Sequence, residues 1–470
     1  MRRSIAGLVV AAAACSGCTV GPRYVRPPIE QPTAFKSPAP IGDQASVPED
    51  WWHLYRDADL DGLVANANAA NQTLRQAIAR VDEARARVRI AASYRYPTIA
   101  ARGVYVRQRT SGSRVSTITG QPVADSATFN DWLVPVDLGY ETDVWGRVRG
   151  SVQVAKAEAV ATEGDEAVVR LAVQTDVAQY YYALRLLDTQ SEVLRQTIAS
   201  YEEQVRLLTV QVDTGVASPV VLSQAKAQLQ ATLAQRGDVV RARSDQEHAL
   251  AILCGQSASS FTVPPQPLHE SIPPAVPPGL PAALLLRRPD VAEAEQNVMA
   301  ANAEVAVATA NLYPTIGLTS AAGFESGAIH SLLAWQSALW SLAGGLTAPV
   351  FQGGRLRANL EATKAQYRQT VAVYTNQVLI AYSDVEDALT DLHALTGEVA
   401  NLREAVAASE TYLRLAQVQY RNGLIDYLTV IDAERTLLAN QLTLAQATSH
   451  QMSASIHLIK ALGGGWQDHA

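Results

Sequence analysis

Between Gly146 and Asp213 the chain has no proline, and its only interior glycines are Gly150 and Gly164. Within that stretch Leu187, Ser191, Leu194, Ile198, Tyr201, Val205, Leu208 and Val212 follow alternating four- and three-residue steps, with Ser191 the one polar break. Sustained spacing of this kind predicts a long helix packed in coiled-coil fashion. A helix of about 65 residues rises roughly 100 Å, a length that demands partners. Adding 208 to each position gives Leu395, Val399, Leu402, Val406, Ser409, Leu413, Ala416 and Tyr420, the same seam with its polar break moved to Ser409. A second period appears elsewhere. Trp132, Val134, Val136, Leu138 and Tyr140 alternate with Leu133, Pro135, Asp137, Gly139 and Glu141, and Ile316, Leu318, Ala322 and Phe324 alternate with mostly small or polar residues. Period 2 predicts strands with one apolar face. Trp340, Leu342, Leu346 and Val350 mark a further strand, and Thr98 to Gln108 a less regular one with Arg102 and Arg107 on opposite faces.

The 208-residue offset is a true internal repeat. "GRVRGSVQVAKA" at Gly146 returns as "GRLRANLEATKA" at Gly354, and "YPTI" at Tyr96 returns at Tyr313 with an offset of 217. The period is far too long for a solenoid, so the chain is read as two copies of one unit. Each long helix is broken at a glycine, in "DTGVASP" (Gly215) and "RNGLIDY" (Gly423), and resumes within a few residues. That predicts a helical hairpin with a tight tip in each half, the glycine serving as a left-handed cap. A helix opening near Asp57 or Asp59 is expected to run to about Ser93, ending before Pro97. The expected boundaries are a signal segment (1–17), an N-terminal arm (18–56), a first repeat (57–262, tip 213–219), a proline-rich connector (263–285), a second repeat (286–462, tip 421–427) and a tail (463–470). The fold class is mainly α with a small β part, each half contributing two strands and a long helical hairpin.

Four strands cannot close a barrel, and an open edge invites aggregation. A small sheet packed on the helices is one solution. The other is closure between copies, since Trp132, Tyr140 and Trp340 lie near strand ends as aromatic girdles do in outer-membrane barrels. Three copies give a trimeric 12-stranded barrel, and cyclic symmetry would close the helices as well.

The net charge of −7 points away from nucleic acid and from anionic membrane surfaces as partners. Arg2-Arg3, an apolar run from Ile5 to Ala14 and Ser16-Gly17 before Cys18 read as a cleaved signal, either ordinary secretory or lipoprotein, with Cys18 then the lipid-bearing terminus. Cys15 stands where a lipobox usually has Leu. Cys254, in "ALAILCG", is expected to be a small buried hydrophobe rather than a reactive thiol. The eight histidines show no metal-ligand spacing, and no cofactor is implied. The glycines of "AGGLTAPVFQGGR" lack the phosphate-loop pattern and are read as a strand-to-helix turn. In "RRPD", Pro289 is expected in the first turn of a helix, with Asp290 at its positive end. No enzymatic function is indicated.

"CTVGPRYVRP" at Cys18, "WWHLYRDADLDGLVANA" at Trp51, "DLGYETDVWGRVR" at Asp137, "GLPAALLLRRPDVAEAE" at Gly279, "FQGGRLRANL" at Phe351 and "YRNGLIDYLTVIDAERTLL" at Tyr420 together resemble the TolC-like outer membrane efflux proteins of the OprM or NodT lipoprotein type. The resemblance covers the mature chain. It implies a homotrimeric duct, a β-barrel in the outer membrane continuing into a long periplasmic helical barrel. It also implies outer-membrane lipid around the barrel, a periplasmic adaptor and an inner-membrane pump of the RND class as partners, and small molecules as cargo. A type I protein-secretion duct shares the architecture, and a structural coiled-coil lipoprotein is the alternative of a different class. The tips Gly215-Val216-Ala217 and Gly423-Leu424-Ile425 become the expected adaptor-docking surface, against the simpler role of turning the chain. Asp426 becomes a candidate for the channel aperture, with Arg421 as a basic neighbour. Related channels often write "G-V-D" at this tip; here "G-L-I-D" displaces the acid by one, and Asp426 is equally placed to cap the next helix.

Overall fold

A computed structural model describes residues 20–37, 47–111, 126–268, 272–276 and 287–467. Seven α-helices are described: α1 Ala58–Ala70, α2 Gln72–Ser93, α3 Arg147–Asp213, α4 Pro219–Leu253, α5 Pro289–Ala310, α6 Arg355–Arg421 and α7 Tyr427–Ala461. The strands are β1 Thr98–Ala101, β2 Val104–Arg109, β3 Thr128–Thr142, β4 Thr315–Ser326 and β5 Ala338–Thr347. The repeat is exact in its helices. Both α3 and α6 have 67 residues, both α4 and α7 have 35, and each pair is offset by 208. The seams are buried where the spacing predicts, with Leu194, Ile198, Tyr201 and Leu208 inside on α3 and Val399, Ser409 and Ala416 on α6. The polar break at Ser409 is satisfied, because its hydroxyl donates to Ala405 O at 2.8 Å and accepts from Asn440 Nδ2 at 2.7 Å.

The chain divides into two compact units. One gathers residues up to Pro27, Asp82–Val160 and Glu295–Ala372, and it holds the sheet. Its strands are antiparallel in the order β1-β3-β4-β5, and β2 also pairs with β3. β1 and β2 keep one register along β3, Ala101 facing Val136 and Val104 facing Leu133. They are one strand interrupted at Arg102-Gly103. Arg102 N–H donates to Pro135 O at 3.2 Å, but proline has no N–H to return the bond, so the ladder lapses there. On its other side Pro135 faces Gly323, where a Cβ would sit 2.2 Å from Val134 O and 2.6 Å from Pro135 Cα. A central-strand proline is therefore accommodated by a broken neighbour and a bare one. β5 ends earlier than the periodicity suggests: Pro349 precedes Val350, which lies outside the strand and fully in solvent.

In the same unit the N-terminal arm runs along α5. Val20 N–H donates to Trp145 O at 3.2 Å, Asn302 Nδ2 to Pro22 O at 3.3 Å, and Tyr24 Oη to Glu295 at 3.0 Å, while Arg26 pairs with Glu295.

The second unit holds residues 28–81, 161–294 and 373–470. Trp51, Leu60, Val64, Val177, Tyr181, Leu250, Met452 and Ile459 form its main core. The helix expected from Asp57 to Ser93 is two. Asp57 caps α1 as expected, accepting from Asp59 N–H and Leu60 N–H. Asn71 then interrupts: buried, it accepts from Leu74 N–H at 2.9 Å and donates Nδ2 to Leu253 O at 2.9 Å. A side chain that competes with the backbone for local hydrogen bonds ends one helix and starts the next. The connector's described start is non-helical, as its prolines require. Buried Arg185 donates to Pro264 O at 2.7 Å and pairs with Asp188 at 3.1 Å and Asp59 at 2.9 Å. Arg243 joins them through Asp188 at 2.6 Å and Val263 O at 2.7 Å. Each buried charge is paired, which is the condition for tolerating it. Pro289 opens α5, and Asp290 accepts from Val291 N–H and from Arg288.

Candidate functional site

The tips are built identically. After α3, Gly215 takes φ +76°, its N–H donates to Val212 O at 3.0 Å, and Val216 N–H reaches back to Gln211 O at 2.7 Å. After α6, Gly423 takes φ +70°, donating to Tyr420 O at 2.9 Å, with Leu424 N–H to Gln419 O at 3.0 Å. This is the Schellman pattern, and the positive φ explains glycine at both places. Ser218 caps α4 with Pro219 behind it, and Asp426 caps α7, accepting from Thr429 N–H at 3.1 Å and Thr429 Oγ1 at 2.8 Å. Ser218 and Asp426 are again 208 apart, so the acid occupies the capping post that a serine holds in the first repeat.

Of the six tip residues, Val216 and Leu424 are the exposed apolar ones, at 76% and 73%. Ala217 and Ile425 are half-buried, contrary to the expectation of exposure. Ile425 packs on a cluster formed by Leu208, Tyr427, Val430 and Ile431, because the chain must fold inward to start α7. Arg421 is the exposed last residue of α6 and, among the described residues, makes no ion pair with Asp426. Cys18 lies outside the described residues, two positions before Val20.

Sequence reasoning missed a polar group under the second tip. Tyr427 Oη donates to Gln204 Oε1, and Gln204 Nε2 donates to Glu434 Oε1. Glu434 is 5% exposed, and burial lifts its carboxyl to about 7 against the hydrogen bonds from Gln204 and Ser200. The signal was present: Tyr427, Val430, Ile431, Glu434 and Leu438 share one helical face, and an acid stands among apolar residues. Cys254 meets expectation, fully buried with its thiol pushed up to about 11 by burial.

The sheet offers two unlike faces. Register puts Val136, Ala322 and Trp340 in one row, with Leu138-Ser320-Leu342 and Tyr140-Leu318-Gly344 beside it. The other face carries Asp137, Glu141, Thr319, Gly317 and Thr347. Trp340 is 82% exposed although it sits in a ladder. Asp137 pairs with Arg102 at 3.1 Å and Glu141 with Arg147 at 2.6 Å. Among the described residues no helix is long and apolar enough to cross a membrane.

A sheet with one apolar and one polar face, in a chain that also duplicates a long helical hairpin, defines a channel-type protein of the outer membrane. The chain belongs to the outer membrane efflux protein family, whose model matches residues 63–256 and 280–464. It is 30% identical over 465 residues to the cation efflux system protein CusC of Escherichia coli, covering 97% of each chain. It is 30% identical over 476 residues to the toluene efflux pump outer membrane protein TtgC of Pseudomonas putida, covering 100% of this chain and 97% of that one. Among solved structures the outer-membrane channel OprN superposes with a TM-score of 0.88 at 28% identity, covering 96% of this chain and all of OprN.

Proposed function

We propose that the chain is the passive outer-membrane duct of a tripartite exporter, assembled as a homotrimer. The observation that carries this reading is the sheet, whose two edges have no partner strand among the described residues. β1 and β2 lie at one side and β5 at the other, and β5 runs opposite to β1. A second copy's β1 can therefore extend β5 antiparallel, and three copies give a closed ring without free edges. The apolar rows then face lipid and the row of Asp137 and Glu141 faces the lumen. The helical hairpins reach into the periplasm, with the exposed Val216 and Leu424 presented to an adaptor that links the duct to an inner-membrane pump of the RND class. No step of chemistry is assigned to the duct; the pump supplies the energy and small molecules pass through. An acyl-bearing Cys18 fits Val20 docked on Trp145, close to where the sheet passes into α3.

The test is mass and transport together. Native mass spectrometry of protein extracted from outer membranes in detergent should give three chains per particle. Deletion of the gene should raise cellular accumulation of the cognate pump's substrates, and restoring the wild-type chain should reverse it. A monomeric particle, or a deletion without effect on accumulation, refutes the reading.

A further inference from the structure

Glu434 sits in α7 two helical turns beyond Asp426, between two apolar clusters. The tip cluster of Leu208, Tyr427 and Ile431 lies on one side, and Ile198, Tyr201 and Leu229 pack on the other. Gln204 of α3 is the hub of the contact. It accepts from Tyr427 Oη and donates to Glu434 Oε1, while Ser200 Oγ stands 3.5 Å from the same oxygen. The second carboxyl oxygen, Oε2, is buried with no hydrogen-bond partner among the described residues.

We propose that Glu434 is a protonation-controlled latch that holds α7, the helix after the second tip, against α3 of the first repeat. The consequence for gating rests on the duct reading above; the latch itself is a property of the folded chain.

The groups that face the carboxyl explain why. From α3 come Ser200, Tyr201 and Gln204, and from α7 Tyr427, with Arg435 acting on the neighbouring Tyr201. From α6 Tyr420 lies against Tyr427 at 5.3 Å between ring centroids, and from α4 Gln228 approaches Tyr201. None of these is a cation bonded to the carboxylate. The ionised form would place an uncompensated charge in a seam of tyrosine rings and aliphatic side chains, which is costly. Protonated Glu434 leaves only neutral groups between the helices. Its folded value, about 7, lies above the ordinary carboxylate value of 4.5. Folding therefore favours the protonated form: the latch is fully engaged below about pH 4.5, weakens as pH rises towards 7, and is released above it. On losing its proton to water the carboxylate favours any opening that lets solvent reach it, so the α7–α3 contact loosens. The device belongs to one tip only, since the repeat-related position is the exposed Lys226.

Hydrogen exchange read by mass spectrometry on the purified full-length protein in detergent tests this, with rates corrected for intrinsic pH dependence. Protection of amides 427–440 should fall by about tenfold or more between pH 5 and pH 8, one decade corresponding to one unit of pKa displacement. Glu434→Gln should keep the acid-like protection at every pH. Gln204→Leu, which removes the donor that favours the anion, should move the midpoint upward. Amides around Lys226 in α4 should stay flat. A flat wild-type profile, or an undiminished fall in Glu434→Gln, overturns the latch. Neither readout involves transport or stoichiometry, so failure here is distinct from failure of the duct reading.

Discussion

Ser218 and Asp426 hold the same post in the two repeats, each closing the first turn of the helix that leaves a tip. An uncharged hydroxyl suffices at one and a carboxylate stands at the other. Capping alone therefore does not require the charge at Asp426, and the two roles open to it separate by substitution.

Asp426→Ser should keep the cap and cost little stability, whereas Asp426→Ala should lose about 1 kcal/mol. Thermal unfolding in detergent checks both. Planar-bilayer recordings then isolate the charge: unchanged conductance and divalent-cation block in Asp426→Ser would leave Asp426 as a cap and no aperture residue.

The exposed side chains at the tips are tested by Val216→Asp combined with Leu424→Asp, which leaves both positive-φ glycines in place. The expected result is a protein of normal assembly and melting temperature whose export falls at least tenfold, reported by substrate accumulation in cells carrying the adaptor and pump. Normal export would remove these side chains from docking.

Gly323→Val places a branched side chain where even a Cβ meets Val134 O at 2.2 Å. Overpacking of this kind costs about 1–3 kcal/mol, and more where backbone must move. Folded yield in detergent, followed by gel mobility before and after heating, should drop sharply, while Gly317→Ala, with open space around it, should behave as wild type.

Cys18→Ala should remove acyl mass from the mature protein without abolishing channel activity, because the sheet and not the acyl chain would span the membrane. Intact mass before and after substitution reports the lipid, and bilayer conductance reports the channel. A wild-type mass lacking acyl groups would refute lipidation.

Much of the fold was legible because its periods are long. The seam from Leu187 to Val212 and its copy carry enough repeats to fix helix type, and Gly215 and Gly423 mark tips that only a left-handed residue closes well. The break at Asn71 was hidden because one side chain's hydrogen bond to Leu253 O, 182 residues away, is invisible to local pattern. The lapse between β1 and β2 was signalled by Pro135, yet on the opposite strand. Ile425 read as a tip residue from its position, but its burial depends on Leu208 arriving from α3. Glu434 was overlooked for a related reason. An acid on an apolar stripe is conspicuous only once Gln204 is known to stand across from it.

The equal lengths of α3 and α6, and of α4 and α7, imply an unusual tolerance profile for the chain. Surface positions along these helices will accept many substitutions, but insertion or deletion of residues is another matter. Removing one heptad from α3 alone would shift every seam residue beyond it against unshortened neighbours. A viable change of reach would have to be made in all four helices together, so length in this protein is inherited as a single trait.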